Sequence, residues 1–576
     1  MHTSSDQRTG GSLLADSLHR LGLTTVFALH GGHLDAFLVE CADHGVTLLD
    51  TRHEASAGHA ADAYARVTGE PGVSVTTSGP GFLNTVTAIG NAYLDRVPMI
   101  AIVGAPPLRE TETNPLQGGI DQITVAAPMT KWSYRVTHPW RIPEILALAV
   151  AKAKGGVPGP VLLEIPIDVL FDTAPVTEVR FPAVGTVASG GHAAPAQVEQ
   201  IAQALCEAQR PLIVAGGGVS FPRAQEELRA LAEALQIPVL TPNKSEGVIP
   251  SSSPLHAGGL STLLACVAAG QAPDVVLVLG QRQGMFTGGR ASLFPGARVF
   301  QVDQDAAEIG RIADVELGVV ADSRAVLVQL AEALVGRPTA GERAAWLEQV
   351  QTGRAAHAAQ FADSTTQSGR MHPYHAAKAV VDAAPNGSTF VLDGAENASW
   401  ASYHVTSENA GDVLRLGYLG CLGIGPGFAI GAHSATGRPT VVITGDGAAG
   451  FNLQEFDTMV RHGLPIVTVV FNNTVWGMSV HGQEAVYGER GVVVSELADT
   501  DYHEVCAALG GYGERVRTLE EIPAAMRRAL DSGLPACLNL EIDPDVVHPT
   551  TLRMLGDVDA EDEIVIPYYQ NFRKQA

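Results

Sequence analysis

An aspartate held between two glycines follows the apolar run 441–444, and an asparagine pair ends the next apolar run. A strand, a glycine turn and a helix can present backbone N–H groups to a phosphate, while Asp446 binds a hard cation. An amide oxygen from Asn473 and a backbone carbonyl would add the oxygen ligands that Mg²⁺ prefers. Alone, Gly445-Asp446-Gly447 is typical of a turn without a ligand, and its spacing to Asn473 is what favours a metal and phosphate site.

A second carboxylate, Glu54, begins a predicted helix directly after the predicted strand at Gly45–Asp50. The apolar positions of that helix follow the amphipathic pattern i, i+3, i+4, i+7, namely Ala57, Ala60, Ala61 and Tyr64. The ordinary interpretation is that the positive end of the helix favours the charge of Glu54. The alternative is that Glu54 exchanges a proton with a bound ligand.

The segment 445–473 reads GDGAAGFNLQEFDTMVRHGLPIVTVVFNN. It resembles the diphosphate-binding motif of thiamine-diphosphate enzymes, which begins with GDG and closes with NN after a similar spacing. The resemblance implies that the side chains of Asp446 and Asn473 and the carbonyl of Val475 bind the metal ion. It also implies cofactor contacts at Gly394, Ala395, Gly420, Leu422, Gly445, Gly447, Trp476 and Gly477. Leu422 would prop thiamine in its bent shape, and is otherwise a core leucine.

Two segments in the first third of the chain, RHEASAGHAADAYARVTG and SGPGFLNTVTAIGNAYLDRVPMIAIVG, look like the pyrimidine-binding domain of the same family. The similarity runs from Leu14 to about Phe171. It implies that Glu54 protonates the aminopyrimidine ring and so promotes loss of the thiazolium proton. Because the family builds each site between two subunits, Glu54 of one chain would face Asp446 of another. The resemblance therefore implies a homodimer, commonly packed as a homotetramer.

Within the family, the sequence is most similar to benzaldehyde lyase and then to 2-hydroxyacyl-CoA lyases. The similarity is carried by FALHGGHLDAFLVECADHGVTLLDTRHEA, ETNPLQGGIDQITVAAPMTKW, MHPYHAA, GYLGCLGIGPGFAIGAH and NNTVWGMSVHGQE. It implies that His30, His33 and Gln117 line the substrate side of the cofactor. The alternatives are a glycine turn with two hydrogen-bonded histidines, and a solvated glutamine.

Two positions depart from benzaldehyde lyase. Ala398 replaces a tyrosine, which removes an aromatic wall or hydroxyl near the substrate and puts an aromatic substrate in question. Glu484 replaces a glutamine, and a glutamate in that region of 2-hydroxyacyl-CoA lyases looks like the acceptor of the substrate hydroxyl proton. The alternative interpretation of Glu484 is an exposed helix charge.

These residues predict a non-oxidative carbon–carbon lyase or carboligase that acts on acyloins, aldehydes or 2-hydroxyacyl compounds. A base, His33 or Glu484, would take the hydroxyl proton while Gln117 positions the substrate. The alternatives are an acetolactate-synthase-like enzyme that decarboxylates a keto acid, and a non-catalytic cofactor-binding protein. Ranges 216–218 and 302–305 resemble the fold that some relatives use for FAD or ADP, although no nucleotide is expected here.

Positioning these residues requires parallel sheets, because short β-branched runs alternate with Ala-rich amphipathic stretches along the whole chain. Stretches near 173–194 and 336–370 have the composition of linkers. We therefore predict an α/β chain with three doubly wound domains and a C-terminal tail. Their bounds are 1–180 for a pyrimidine-binding domain, 190–340 for a central domain, 365–547 for a diphosphate-binding domain and 548–576 for a tail that is a flap or a surface strap.

The composition excludes several other classes of protein. A formal charge of −24 over 576 residues disfavours nucleic acid as a partner. No apolar run is long enough for a membrane span, and the polar start of the chain lacks a secretion signal, so the cytoplasm is the expected location. The six cysteines show no CxxC pairing, which argues against a zinc site or a disulfide framework.

Overall fold

The computed structural model describes residues 6–110, 113, 116–185, 190–220, 224–284, 294–339, 343–555, 563–564 and 572–573. Its strands form three parallel sheets with helices packed against them, which confirms the predicted α/β fold. The predicted domain boundaries stay predictions.

The first sheet is built from the N-terminal part of the chain. The elements are β1 (Gln7–Thr9), α1 (Gly10–Arg20), β2 (Thr25–Ala28), α2 (Asp35–Leu38), β3 (Thr47–Asp50), α3 (Glu54–Thr68), β4 (Gly72–Thr76), α4 (Pro80–Asp95), β5 (Met99–Ala105), α5 (Gln122–Ala126), β6 (Trp132–Arg135), α6 (Ile142–Lys154), β7 (Pro160–Pro166), α7 (Ile167–Phe171) and β8 (Thr173–Pro175). The sheet order is β3-β2-β4-β5-β7-β6, and β1 pairs with β8 separately. Every residue of β5 and β7 is buried, as expected for a parallel sheet covered on both faces.

The second sheet forms the central part of the chain. The elements are α8 (Pro195–Glu207), β9 (Pro211–Ala215), α9 (Gly217–Ser220), α10 (Gln225–Leu235), β10 (Val239–Leu240), α11 (Leu260–Ala268), β11 (Val275–Leu279), β12 (Arg298–Asp303), β13 (Leu317–Val320), α12 (Ser323–Ala333) and α13 (Arg343–Ala359). The order of its five parallel strands is β10-β9-β11-β12-β13.

The third sheet carries the predicted metal residues. The elements are α14 (Pro373–Ala383), β14 (Thr389–Asp393), α15 (Glu396–Ala401), β15 (Val413–Arg415), α16 (Gly425–Thr436), β16 (Thr440–Gly445), α17 (Asp446–Ala449), α18 (Glu455–Arg461), β17 (Val467–Asn472), α19 (Gly477–Tyr487), α20 (Tyr502–Ala508), β18 (Tyr512–Val516), α21 (Ile522–Asp531), β19 (Ala536–Glu541), α22 (Pro549–Leu555), β20 (Glu563–Ile564) and β21 (Phe572–Arg573). The sheet order is β15-β14-β16-β17-β19-β18.

The first and third sheets have the same topology. Numbered by their own order along the chain, the strands of each sheet run 2-1-3-4-6-5. Helices α3 and α16, which occupy equivalent places, pack against each other. Glycines on α16 permit this close approach, because a Cβ atom on Gly431 would lie 2.1 Å from the carbonyl oxygen of Ala60 and one on Gly427 would lie 2.7 Å from His59.

One buried carboxylate links the three parts of the chain. Asp95, at the end of α4, accepts hydrogen bonds from the backbone N–H of Tyr418 and from Arg66, at 3.0 and 2.8 Å. It also forms an ion pair with Lys244 of the central part. Breaking a buried ion pair leaves an uncompensated charge, so this cluster fixes the relative placement of the three sheets.

The prediction of a linker near 336–370 is wrong over much of that stretch, because helix α13 forms there. The helix buries Trp346 and Val350 four residues apart on one face. Arg343 donates to the carbonyl oxygens of Leu235 and Leu205, which ties the helix start to the central part. The polar residues between these anchors face solvent and gave the stretch its linker-like composition.

Candidate active site

The predicted metal residues lie at the carboxyl edge of the third sheet, where β14 and β16 are neighbours. Strand order reverses at this point, and in open parallel sheets ligands bind in the crevice that the reversal creates. Gly394 follows β14, Asp446 follows β16 and Asn473 follows β17. The fold therefore brings together turns that are separated by up to 79 positions in the sequence.

Three oxygen-bearing groups meet at one point in these turns. The side-chain amide of Asn473 lies 2.9 Å from the carbonyl oxygen of Val475 and 3.2 Å from Asp446 Oδ1. With the amide nitrogen turned inward, Asn473 donates to both. With the oxygen inward, it faces the other two acceptors at separations close to the roughly 2.9 Å between adjacent oxygens around an octahedral Mg²⁺. The donor set thus fits a hard cation.

Backbone N–H groups hold the carboxylate of Asp446 in place. Gly447 donates to Oδ1 at 2.9 Å and Thr474 donates to Oδ2 at 2.7 Å. Thr474 adopts a left-handed φ of 63°, an uncommon conformation for a β-branched residue. Burial raises the pKa of Asp446 to about 6, although these N–H groups lower it. A cation at this position would supply the missing positive charge.

Glycine is required at two positions of the turns. A Cβ atom on Gly447 would lie 2.6 Å from the ring of Trp476, and one on Gly394 would lie 2.2 Å from the side chain of Asn397. Gly394 also has a positive φ of 116°. Because neither position carries a side chain, the backbone is accessible at the edge of the crevice, as a phosphate-binding turn requires.

The loop before α16 is fixed by Asp393. This fully buried carboxylate accepts from the backbone N–H groups of Gly423 at 3.1 Å and Gly425 at 2.8 Å. The two bonds hold Leu422, which is half-buried and faces the crevice. Burial raises the pKa of Asp393 to about 6, against the effect of the backbone donors.

A cavity of about 1520 Å³ opens along this edge and continues toward the central part of the chain. All of the cofactor positions implied for the diphosphate half of the site line it: Gly394, Ala395, Gly420, Leu422, Gly445, Asp446, Gly447, Asn473, Val475, Trp476 and Gly477. The structure therefore brings these predicted residues together around one space.

The predicted activating residue lies at the equivalent edge of the first sheet. Glu54 is the first residue of α3 and is 8% exposed. Its Oε2 accepts a hydrogen bond from Asn84 Nδ2 at 2.9 Å. His53 caps the helix through its ring nitrogen. Glu54 is thus a buried carboxylate at the start of a helix, fixed by a hydrogen bond from Asn84.

Two of the predicted substrate-side residues, His33 and Gln117, approach the turn that follows β4. His33 Nδ1 lies 3.1 Å from Thr77 Oγ1. Burial lowers the pKa of His33, so its ring is neutral near pH 7. Gln117 has a left-handed φ of 53°, and its carbonyl oxygen accepts from Ser78 Oγ at 2.5 Å. The side chain of Gln117 is exposed.

The remaining predicted residues lie further out. His30 is exposed and its Nε2 lies 2.9 Å from Asp35 Oδ1. Glu484 is exposed on α19 and is not among the described residues that line the cavity. Glu54, His33 and Gln117 are also absent from the described residues that line the cavity. Within one chain, therefore, the two half-sites do not share the cavity. The catalytic roles of these residues stay predictions.

Sequence reasoning missed two residues that shape the diphosphate half-site. Asp393 ends an apolar strand and is followed by a glycine, as Asp446 is, and this signal was available in the sequence. Glu396 lies three residues after Asp393 and lines the cavity in contact with His481. An acidic residue in the first turn of a helix is ordinary, so no pattern distinguishes Glu396 before the fold is known.

The three sheets correspond to three matches with known family models. The descriptions are the N-terminal TPP binding domain of thiamine pyrophosphate enzymes over residues 8–125, their central domain over 198–330 and their C-terminal TPP binding domain over 393–540. The chain belongs to the thiamine pyrophosphate enzyme family, and is an enzyme that uses thiamine diphosphate.

The similar proteins span almost the whole chain. A probable acetolactate synthase large subunit of Methanocaldococcus jannaschii is 30% identical over 98% of this chain and 98% of its own length. A probable acetolactate synthase of Mycobacterium bovis is 32% identical over 94% and 96%. The human protein 2-hydroxyacyl-CoA lyase 2 is 30% identical over 88% and 85%. Among the described residues, no helix is both long and apolar enough to cross a membrane.

Proposed function

We propose that the protein is a non-oxidative carbon–carbon lyase and carboligase that acts on acyloins, aldehydes or 2-hydroxyacyl compounds. The observation that carries the proposal is the neutral, half-buried imidazole of His33 beside the turn after β4. Cleavage of a 2-hydroxy compound requires a base for the hydroxyl proton, and a neutral imidazole is such a base near pH 7.

The proposed diphosphate half-site uses the residues that line the cavity. Asp446, Asn473 and the carbonyl of Val475 hold Mg²⁺, and the bare turns at Gly394 and Gly447 receive the diphosphate. When bound, thiamine diphosphate supplies a nucleophilic carbon and an electron sink. Leu422 also lines the cavity and would support the bound cofactor.

Glu54 is proposed to hold a proton at its carboxyl group for the cofactor of a partner subunit. The separation of the two half-sites within one chain supports a shared site, since Glu54 lies outside the cavity that contains Asp446. In a homodimer each site would then combine Glu54 of one protomer with Asp446 of its partner. Packing of two such dimers would give the proposed homotetramer.

His33 is proposed to accept the substrate hydroxyl proton. In the tautomer in which Nδ1–H donates to Thr77 Oγ1, the Nε2 atom carries the lone pair and takes the proton. Gln117 positions the substrate through an amide that does not titrate. Glu484 is the second proposed acceptor, because its exposed carboxylate is available to a site that a partner completes.

The central part supports non-oxidative chemistry. In a nucleotide-binding fold, an acidic residue at the end of a strand binds the ribose. Asp303 ends β12, but its carboxylate is engaged by Arg96 of the first sheet at 3.1 and 3.4 Å. Because this carboxylate already binds Arg96, it is not free to bind a ribose, which supports the proposal of a central domain without FAD or ADP.

A second candidate is decarboxylation of a keto acid followed by carboligation, as the names of two relatives suggest. This second candidate is favoured by the similarity of those relatives over almost the whole length of the chain. The proposed substrate side favours the lyase instead, because His30, His33 and Gln117 include no lysine or arginine to bind a keto-acid carboxylate.

The two candidates are separated by one assay with Mg²⁺ and thiamine diphosphate present. Benzoin, acetoin, a short 2-hydroxyacyl-CoA and pyruvate are compared side by side. We expect cleavage of at least one of the first three, and a loss of roughly hundredfold in kcat for His33→Gln. His138→Gln, at an exposed histidine of the same sheet region, is the matched control. Consumption of pyruvate alone would establish the second candidate, and no turnover would overturn both.

A further inference from the structure

A buried acidic residue lies beside the proposed diphosphate position. Glu396 begins α15 directly after the turn at Gly394, is 7% exposed and lines the cavity. A Cβ atom on Gly477 would lie 3.0 Å from Glu396 Oε2 and 3.2 Å from the side-chain amide of Asn473. Glu396 and Asn473 therefore face the same side of Gly477. A free carboxylate here would repel a bound diphosphate.

His481, one turn into α19, compensates this charge. Its Nδ1 lies 3.0 and 2.9 Å from the two carboxylate oxygens of Glu396, and its Nε2 lies 2.8 Å from the carbonyl oxygen of Pro544. Both ring nitrogens face acceptors, so both carry protons and the ring is an imidazolium. Burial lowers the pKa of His481, but the hydrogen bond and charge of Glu396 outweigh that effect and raise it above its usual value.

The C-terminal segment 544–551 completes the cluster. Thr551 Oγ1 donates to Glu396 Oε1, and the backbone N–H of His548 lies 3.4 Å from the same oxygen. Helix α22 packs against both α15 and α19. One neutralised carboxylate thus joins the turn after β14, the start of α19 and the C-terminal segment, and residues of all three line the cavity.

We infer that Glu396 and His481 are a positioning pair whose internal neutralisation lets the cavity accept the diphosphate of the cofactor. The inference rests on the proposed diphosphate position and not on the proposed substrate. At an effective dielectric constant of about 20, a second unit negative charge close to the diphosphate would repel it enough to weaken binding on the order of tenfold or more. Removing His481 exposes the diphosphate to that repulsion, whereas removing Glu396 does not.

The pair is tested by cofactor binding to the full-length apo-protein, followed by tryptophan fluorescence, since Trp476 packs on Gly447. The probes are thiamine diphosphate and thiamine, each with Mg²⁺. We expect His481→Gln to weaken thiamine diphosphate roughly ten- to thirtyfold and thiamine less than about twofold. Glu396→Gln should weaken thiamine diphosphate less than about threefold, and the double variant should lie within about threefold of the unsubstituted protein.

A purely structural role predicts a different pattern, in which both single variants and the double variant lose affinity for the two probes equally. That result overturns the inference. A loss of more than about threefold in the affinity of Glu396→Gln for thiamine diphosphate also overturns it, and this second measurement decides the matter even if His481→Gln does not fold. His372→Gln, at a buried histidine that contacts Tyr374 instead, is the matched control and should bind normally. Asp446→Asn tests the diphosphate position itself, because unchanged affinity there would refute the proposed site and not the pair.

Discussion

Protons should compete with Mg²⁺ for Asp446 at an unusually high pH. The carboxyl group is 2% exposed, and burial raises its pKa in the metal-free protein to about 6. The carboxylate is the form that binds the cation. At pH 7 about 90% of the groups are ionised and at pH 5 about 10%, so the apparent affinity for Mg²⁺ should fall roughly tenfold between them. An aspartate of ordinary pKa, about 3.9, would change by less than about 10%.

The assay is a Mg²⁺ titration of the apo-protein at saturating thiamine diphosphate, read by tryptophan fluorescence at several values between pH 5 and 8. Mg²⁺ binding to free thiamine diphosphate is measured at the same values and subtracted, because the ligand has its own protons. Asp446→Asn is the matched control and should bind weakly, with no pH dependence beyond that of the ligand. A corrected affinity that stays constant from pH 7 to 5 would refute the reasoning.

Three further predictions concern activation, packing and acid stability. Glu54→Gln should bind thiamine diphosphate normally in a fluorescence titration but lose turnover by at least roughly hundredfold, and unchanged kcat would exclude the activating role. Gly431→Val should lower the thermal unfolding midpoint, at a cost of about 1–3 kcal/mol, because its side chain meets the carbonyl oxygen of Ala60; an unchanged midpoint would contradict the close packing of α3 on α16. Burial lowers the pKa of His404 to about 4 and that of His548 to about 3. The neutral rings therefore contribute fully to the free energy of unfolding above about pH 6.5, and this contribution falls by about 2 kcal/mol for each at pH 5. Urea unfolding at pH 7.5 and 5 should show a smaller pH effect in His548→Gln, and an equal effect would be inconsistent with a neutral buried ring.

The sequence was sufficient for the parts of the site that depend on local spacing. Asp446 and Asn473 each follow an apolar strand, and parallel strands bring their carboxyl ends to one edge, so the convergence of the two residues was predictable. The prediction of parallel sheets succeeded for the same reason, since continuous β-branched runs such as Val275–Leu279 report burial on both faces.

The rest depends on contacts that no local pattern encodes. Glu396 and His481 are 85 positions apart and meet only because α15 and α19 leave the same sheet edge. The shared topology of the first and third sheets has no counterpart in repeated residues, because sheet order is set by burial and connection length. Helix α13 was missed because Trp346 and Val350, its buried anchors, are a minority among polar neighbours.

The central claim is that each active site combines Glu54 of one chain with Asp446 of another. The most direct test mixes two inactive variants, Glu54→Gln and Asp446→Asn, and allows their subunits to exchange. In a mixed dimer one site carries both substitutions and the other carries neither, so random exchange should restore about a quarter of the unsubstituted activity. If both residues of a site came from the same chain, every site would carry one substitution and the mixture would stay inactive.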